Sequence, residues 1–77
     1  MTKNETICLN LIGASNYVYT DFDQNSFGIE QSEARAGIDS LISKGLCAII
    51  HGSDYGQGLP SVYVLTDKGS KLFWESL

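Results

Sequence analysis

Ile7, Cys8, Leu11 and Ile12 recur at the spacing of one helix face, directly after a Thr2-x-x-Glu5 pair. The Thr2 hydroxyl can accept from an early helix amide while Glu5 reaches back, which is a capping box. A first helix of about three turns is predicted, with Gly13 as its left-handed stop. Tyr17-Val18-Tyr19 is β-prone and too short for more than an edge strand. Thr20-x-x-Asp23 repeats the capping pattern and predicts a short helix over Asp21–Asn25.

Residues 30–46 carry the clearest helical pattern. Ala34, Ile38, Leu41 and Ile42 form an apolar stripe at i, i+4, i+7 and i+8. Gln31, Glu33, Arg35, Asp39, Ser40 and Ser43 mostly face away from it. Lys44 falls in the last turn, where a cation suits the helix dipole. Gly45 and Leu46 together fit a Schellman stop. Gly37 is a defect worth about 1 kcal/mol against Ala unless another helix comes close there.

Beyond this helix the period shortens. Leu46–Ile50 and Ser61–Leu65 are β-prone, and between them lie three glycines, a proline, a serine and an aspartate within ten residues. That composition predicts a hairpin loop longer than a tight turn. Thr66 can cap a last helix, Asp67 suits its first turn, and Leu72, Phe73 and Leu77 can return to the core. The sum is an α+β domain spanning 1–77, with three to four helices and a two- or three-stranded antiparallel sheet at one end.

Composition narrows the functional classes. Seventy-seven residues hold one core and bury roughly 60–65% of the unfolded surface, so a dimer or a partner would add needed stability. Hydrophobic residues at 43% and charged residues at 18% describe a globular chain. Five Lys+Arg against nine Asp+Glu leave −4, which disfavours a generic nucleic-acid binder. No apolar run approaches the length of a membrane span, and Met1–Glu5 lacks the layout of a signal peptide. Cys8 and Cys47 have no CxxC spacing, and reduced, buried thiols are expected in a cytoplasmic setting.

The order of elements resembles the winged helix-turn-helix domains of bacterial and viral regulators, the MarR/PadR-type branch above all. Phe27-Gly28-Ile29-Glu30-Gln31-Ser32 is similar to the turn of the motif, with Gly28 at the bend. Leu41-Ile42-Ser43-Lys44-Gly45-Leu46 resembles the exit of the recognition helix into the wing. Tyr63-Val64-Leu65-Thr66-Asp67-Lys68-Gly69 resembles the passage from the second wing strand into the closing helix. The resemblance covers nearly the whole chain. It implies that Gln31, Ser32, Glu33, Arg35, Ala36, Asp39 and Ser40, with Lys44 at the helix end, face a DNA groove or a partner. It also implies a contact by the wing through His51, Asp54, Tyr55 and Gln57.

Enzymatic chemistry is not expected. His51 with Asp54 makes at most two ligands, so no metal site is assigned. One histidine without a nucleophile motif supports no triad. Gly52-x-x-x-Gly56-x-Gly58 lacks the Lys-Ser/Thr and the helix of a phosphate loop, so no cofactor is assigned. Among the aromatics, Phe27, Tyr63 and Phe73 fit core positions. Tyr55 suits an exposed anchor, and core packing is the preferred reading for Trp74. Asp21, Asp23, Glu30, Glu33 and Asp39 read either as a solvated surface or as an attractant for a basic protein face.

Two functions fit these residues, and the first is preferred as the commoner use of the fold it resembles. In the first the chain is a small transcription regulator that binds DNA as a dimer or with a partner, Gln31, Ser32, Arg35 and Ser40 reading bases. In the second it is an acidic protein-interaction module, an adaptor or an inhibitor of a nucleic-acid-processing machine. A homodimer through the terminal helices, with Trp74 and Leu77 exposed, is a further expectation.

Overall fold

The computed structural model describes residues 1–52 and 58–77 of the chain. Its elements in order are α1 (Lys3–Ser15), β1 (Val18–Tyr19), α2 (Gln31–Ser43), β2 (Cys47–Ile50), β3 (Val62–Leu65) and α3 (Asp67–Glu75). The strands form one antiparallel sheet in the order β1-β3-β2. Among the described residues this is an α+β arrangement of three helices and a three-stranded sheet.

The capping box of α1 forms as the sequence implies. The Glu5 amide donates to the Thr2 hydroxyl at 3.2 Å, and the Thr2 amide donates to the Glu5 carboxylate at 2.9 Å. The helix does not stop at Gly13, however. It runs on to Ser15, and Asn16 takes the positive φ of 71°. Gly13 is needed for packing instead: a Cβ there would lie 2.5 Å from the Phe73 ring.

The short helix expected over Asp21–Asn25 is absent. Turn bonds replace it, from the Phe22 amide to Tyr19 O, Ser26 to Asp23 O and Gly28 to Asn25 O. Phe22 and Phe27 both drop into the core, their rings edge to face at 4.7 Å. The three turns between Tyr19 and Gly28 bring these two rings together on the core side of the segment.

In α2, Ala34, Ile38 and Leu41 are fully buried and Ile42 is half-buried, as the stripe predicts. A Cβ on Gly37 would sit 3.1 Å from both the Asn4 carbonyl oxygen and Cys8 Sγ, so this glycine marks the close crossing of α1 and α2. The exit from α2 carries both bonds of a Schellman stop. Leu46 N–H reaches Leu41 O at 2.9 Å and Gly45 N–H reaches Ile42 O at 3.0 Å.

Thr66 then joins the end of α2 to the start of α3. Its amide donates to Leu46 O, its hydroxyl donates to Gly45 O, and the same oxygen accepts from Gly69 N–H. Phe73, Phe27 and Tyr63 all reach the core. Leu77 does not: α3 ends at Glu75, and Leu77 is exposed. Trp74 also departs from the preferred core reading, with 68% of its surface open.

Strand register divides the sheet side chains into two faces. Val18, Tyr63, Ile49, Leu65 and Cys47 share the side on which Tyr63 and Cys47 are buried. Tyr19, Val62, Ile50, Val64 and Ala48 share the other, because successive residues alternate across a strand. Both faces are therefore apolar.

Candidate functional site

The outward residues of α2 and Lys44 at its end are the first candidates, and half of them turn out to be engaged within the fold. Gln31 Nε2 donates to the Phe22 carbonyl oxygen at 3.2 Å. Arg35 donates to Thr20 O at 3.0 Å, and its guanidinium lies 4.6 Å above the Phe22 ring. These two side chains close the Thr20–Phe22 turn onto α2 and supply the hydrogen bonds that a helix there would have made for itself.

At the other end of α2, Ser40 and Lys44 converge on one atom. The Ser40 hydroxyl donates to Glu5 Oε2 at 2.9 Å, and the Lys44 ammonium pairs with the same oxygen at 2.5 Å. Glu5 itself is buried, with 2% of its surface open. A carboxylate taken out of water needs partners for its lone pairs, and these two together with the Thr2 amide provide them. The Lys44 ion pair, with the Thr2 amide next in weight, holds the Glu5 carboxyl down at about 2.

Four of the sequence-derived face residues stay outward. Ser32, Glu33 and Asp39 are exposed, with Glu33 taking only a 3.4 Å bond from Asn4 Nδ2. Ala36 is exposed beside them. The face that remains is small, polar and acidic. His51 is exposed just beyond β2, whereas Asp54, Tyr55 and Gln57 lie outside the described residues. No group of three or more metal-ligating side chains gathers among the described residues.

A second surface is marked in the sequence only by its acidic margin, Asp21 and Asp23. Tyr17 and Tyr19 pack edge to face at 5.4 Å and stand nearly half exposed. On one side of the pair a groove of about 680 Å³ runs past Leu11, Phe22, Asp21 and Asp23. On the other a shallow apolar hollow of about 340 Å³ is lined by Leu59, Pro60, Val62 and Val64. The signal was present in the alternation. Val62 and Val64 flank a core tyrosine, so a strand buried on one face had apolar residues on the other as well.

Comparison of the chain with protein-family models, with curated proteins and with solved structures returned no match. No helix among the described residues is long and apolar enough to cross a membrane.

Proposed function

We propose that this chain is a protein-interaction module of winged-helix type, an adaptor or inhibitor that binds a protein component of a nucleic-acid-processing machine and catalyses nothing itself. The observation that carries this reading is the internal engagement of Gln31, Arg35, Ser40 and Lys44. A base-reading helix needs such side chains free to reach base edges. Here freeing them would open the Thr20–Phe22 turn and leave the buried Glu5 charge with the Thr2 amide but no cation.

Charge supports the same conclusion. Strong DNA binders neutralise about 6–10 phosphates. This chain has five cationic side chains in all. Lys44 is held by Glu5, Arg35 by Thr20 and Phe22, and Lys71 lies 4.0 Å from Glu75. The exposed residues left on α2 include Glu33 and Asp39, which repel a phosphate backbone.

The regulator reading keeps one observation in its favour. A helix followed by a strand hairpin, with β1 completing the sheet beside β3, supports the winged-helix resemblance, and regulators are the commoner users of that fold. Anisotropy titration against genomic DNA fragments at low and moderate salt separates the two. The interaction reading expects only weak binding that disappears with salt. A competitor-resistant complex, lost on Ser32→Glu in a folded protein, overturns it in favour of the regulator.

A further inference from the structure

The surface around Tyr17 and Tyr19 combines three properties in one place. It is apolar, since Tyr19 lies across from Val62 and Val64 lies across from Ala48 on the sheet face turned away from the core. It is acidic along one margin, where Asp21 and Asp23 are exposed and line the groove. It also holds no cation: neither hollow is lined by Lys or Arg, and neither aspartate is in an ion pair among the described residues. Arg35 is committed to the Phe22 ring and Thr20 O rather than to either aspartate.

We infer that this surface docks an extended basic segment of a partner protein, its Lys or Arg side chains meeting Asp21 and Asp23 and its apolar side chains covering Tyr19, Val62 and Val64. The inference rests on the interaction-module reading and gives it a site and a partner chemistry. Charge complementarity selects the occupant. Two unpaired carboxylates beside two tyrosine rings favour a guanidinium or ammonium group, which gains from both the charge and the ring faces. The same carboxylates repel a nucleic-acid backbone. A second copy of this chain is a poor occupant too, because a two-fold pairing here gathers four aspartates at one interface with no cation among them. The position of β1 at the sheet edge suits an extended segment, which can run along the edge while its side chains alternate between groove and hollow.

Selection from a random displayed peptide library on the purified protein tests this directly. Enriched peptides are expected to carry at least a pair of Lys or Arg interleaved with apolar residues. In anisotropy titrations with one such synthetic peptide, Asp21→Asn with Asp23→Asn is expected to weaken binding by about tenfold or more and to flatten its salt dependence. Tyr19→Ser with Val62→Thr is expected to weaken it without altering that dependence. The two aspartates are exposed and outside the core, so their double variant should keep the wild-type melting temperature, which is measured alongside.

Enrichment without cationic bias, or an affinity unchanged in the aspartate variant, overturns the proposed site. So does a dimer in sedimentation equilibrium that the Tyr19 and Val62 changes abolish. Peptide or protein binding that survives all four substitutions removes this site while leaving an interaction module. Competitor-resistant capture of duplex DNA removes the interaction module itself, and the proposed site with it.

Discussion

The Glu5 carboxylate accepts the Ser40 hydroxyl at 2.9 Å, tying the first turn of α1 to the last turns of α2 across 35 positions of sequence. Lys44 completes the clasp on the same oxygen. Ser40 and Lys44, which looked outward, thus anchor the end of α2 to α1.

This clasp sets an acid limit on stability. The Glu5 carboxyl is held at about 2 in the folded chain against an ordinary value of 4.5. The unfolded chain takes up the proton first, so the contribution is fully present above about 4.5 and is lost as pH falls towards about 2. Urea midpoints measured through that window should fall with pH in the wild type. In Glu5→Gln the slope should be reduced and the midpoint at neutral pH lower.

Arg35→Ala should destabilise the fold by about 1–2 kcal/mol, since it removes the bond to Thr20 O and the cation over Phe22. Thermal unfolding measures the loss. Arg35→Lys keeps the charge but not the fork geometry, and should recover only part of it.

The two cysteines should be inert in the native state. Burial pushes both thiols up to about 11, and both are unpaired. A thiol reagent near neutral pH should label neither in the folded protein and both after unfolding in urea. Stability should also decline as pH rises above about 9, where the unfolded thiols ionise and the buried ones do not.

Gly37→Val should cost about 1–3 kcal/mol despite removing a helix glycine. Its branched side chain would press on the Asn4 carbonyl and Cys8 Sγ, forcing α1 and α2 apart. Paired unfolding curves for this variant and for Ala36→Val, exposed on the same helix, separate crowding from β-branching.

Trp74 offers a test of self-association through the terminal helices. With 68% of its surface open, its emission should match solvated indole and be fully accessible to quencher in a monomer. A dimer through α3 should show a blue shift that grows with concentration. Trp74→Ala should alter the stability of a monomer by no more than about 0.5 kcal/mol.

Much of the fold is legible in spacing alone. The Thr2/Glu5 box, the Ala34–Ile38–Leu41 stripe, the Gly45–Leu46 stop and the Thr66 cap each act within a few residues, and each forms. What spacing does not carry is competition between distant groups. Gly13 has the chemistry of a helix stop, but the Phe73 ring claims the space beside it. Thr20 and Asp23 have the chemistry of a cap, but the Thr20 and Phe22 carbonyls are taken by Arg35 and Gln31 from α2.

The candidate site follows the same rule. Lys44 reads as a helix-dipole partner and Glu5 as a local cap, and only the crossing of α1 and α2 brings them together. Arg35 shows no sign in the sequence of its place over Phe22, thirteen positions earlier in the chain.

An apolar sheet face turned outward also bears on handling. Tyr19, Val62 and Val64 present a sticky strand surface at the edge of the fold, and the net charge of −4 opposes its meeting with copies of itself. That repulsion vanishes near the isoelectric point of about 4.6. Mild acid should therefore bring the chain out of solution well before the Glu5 clasp is protonated, and an occupant on that face should keep it dispersed.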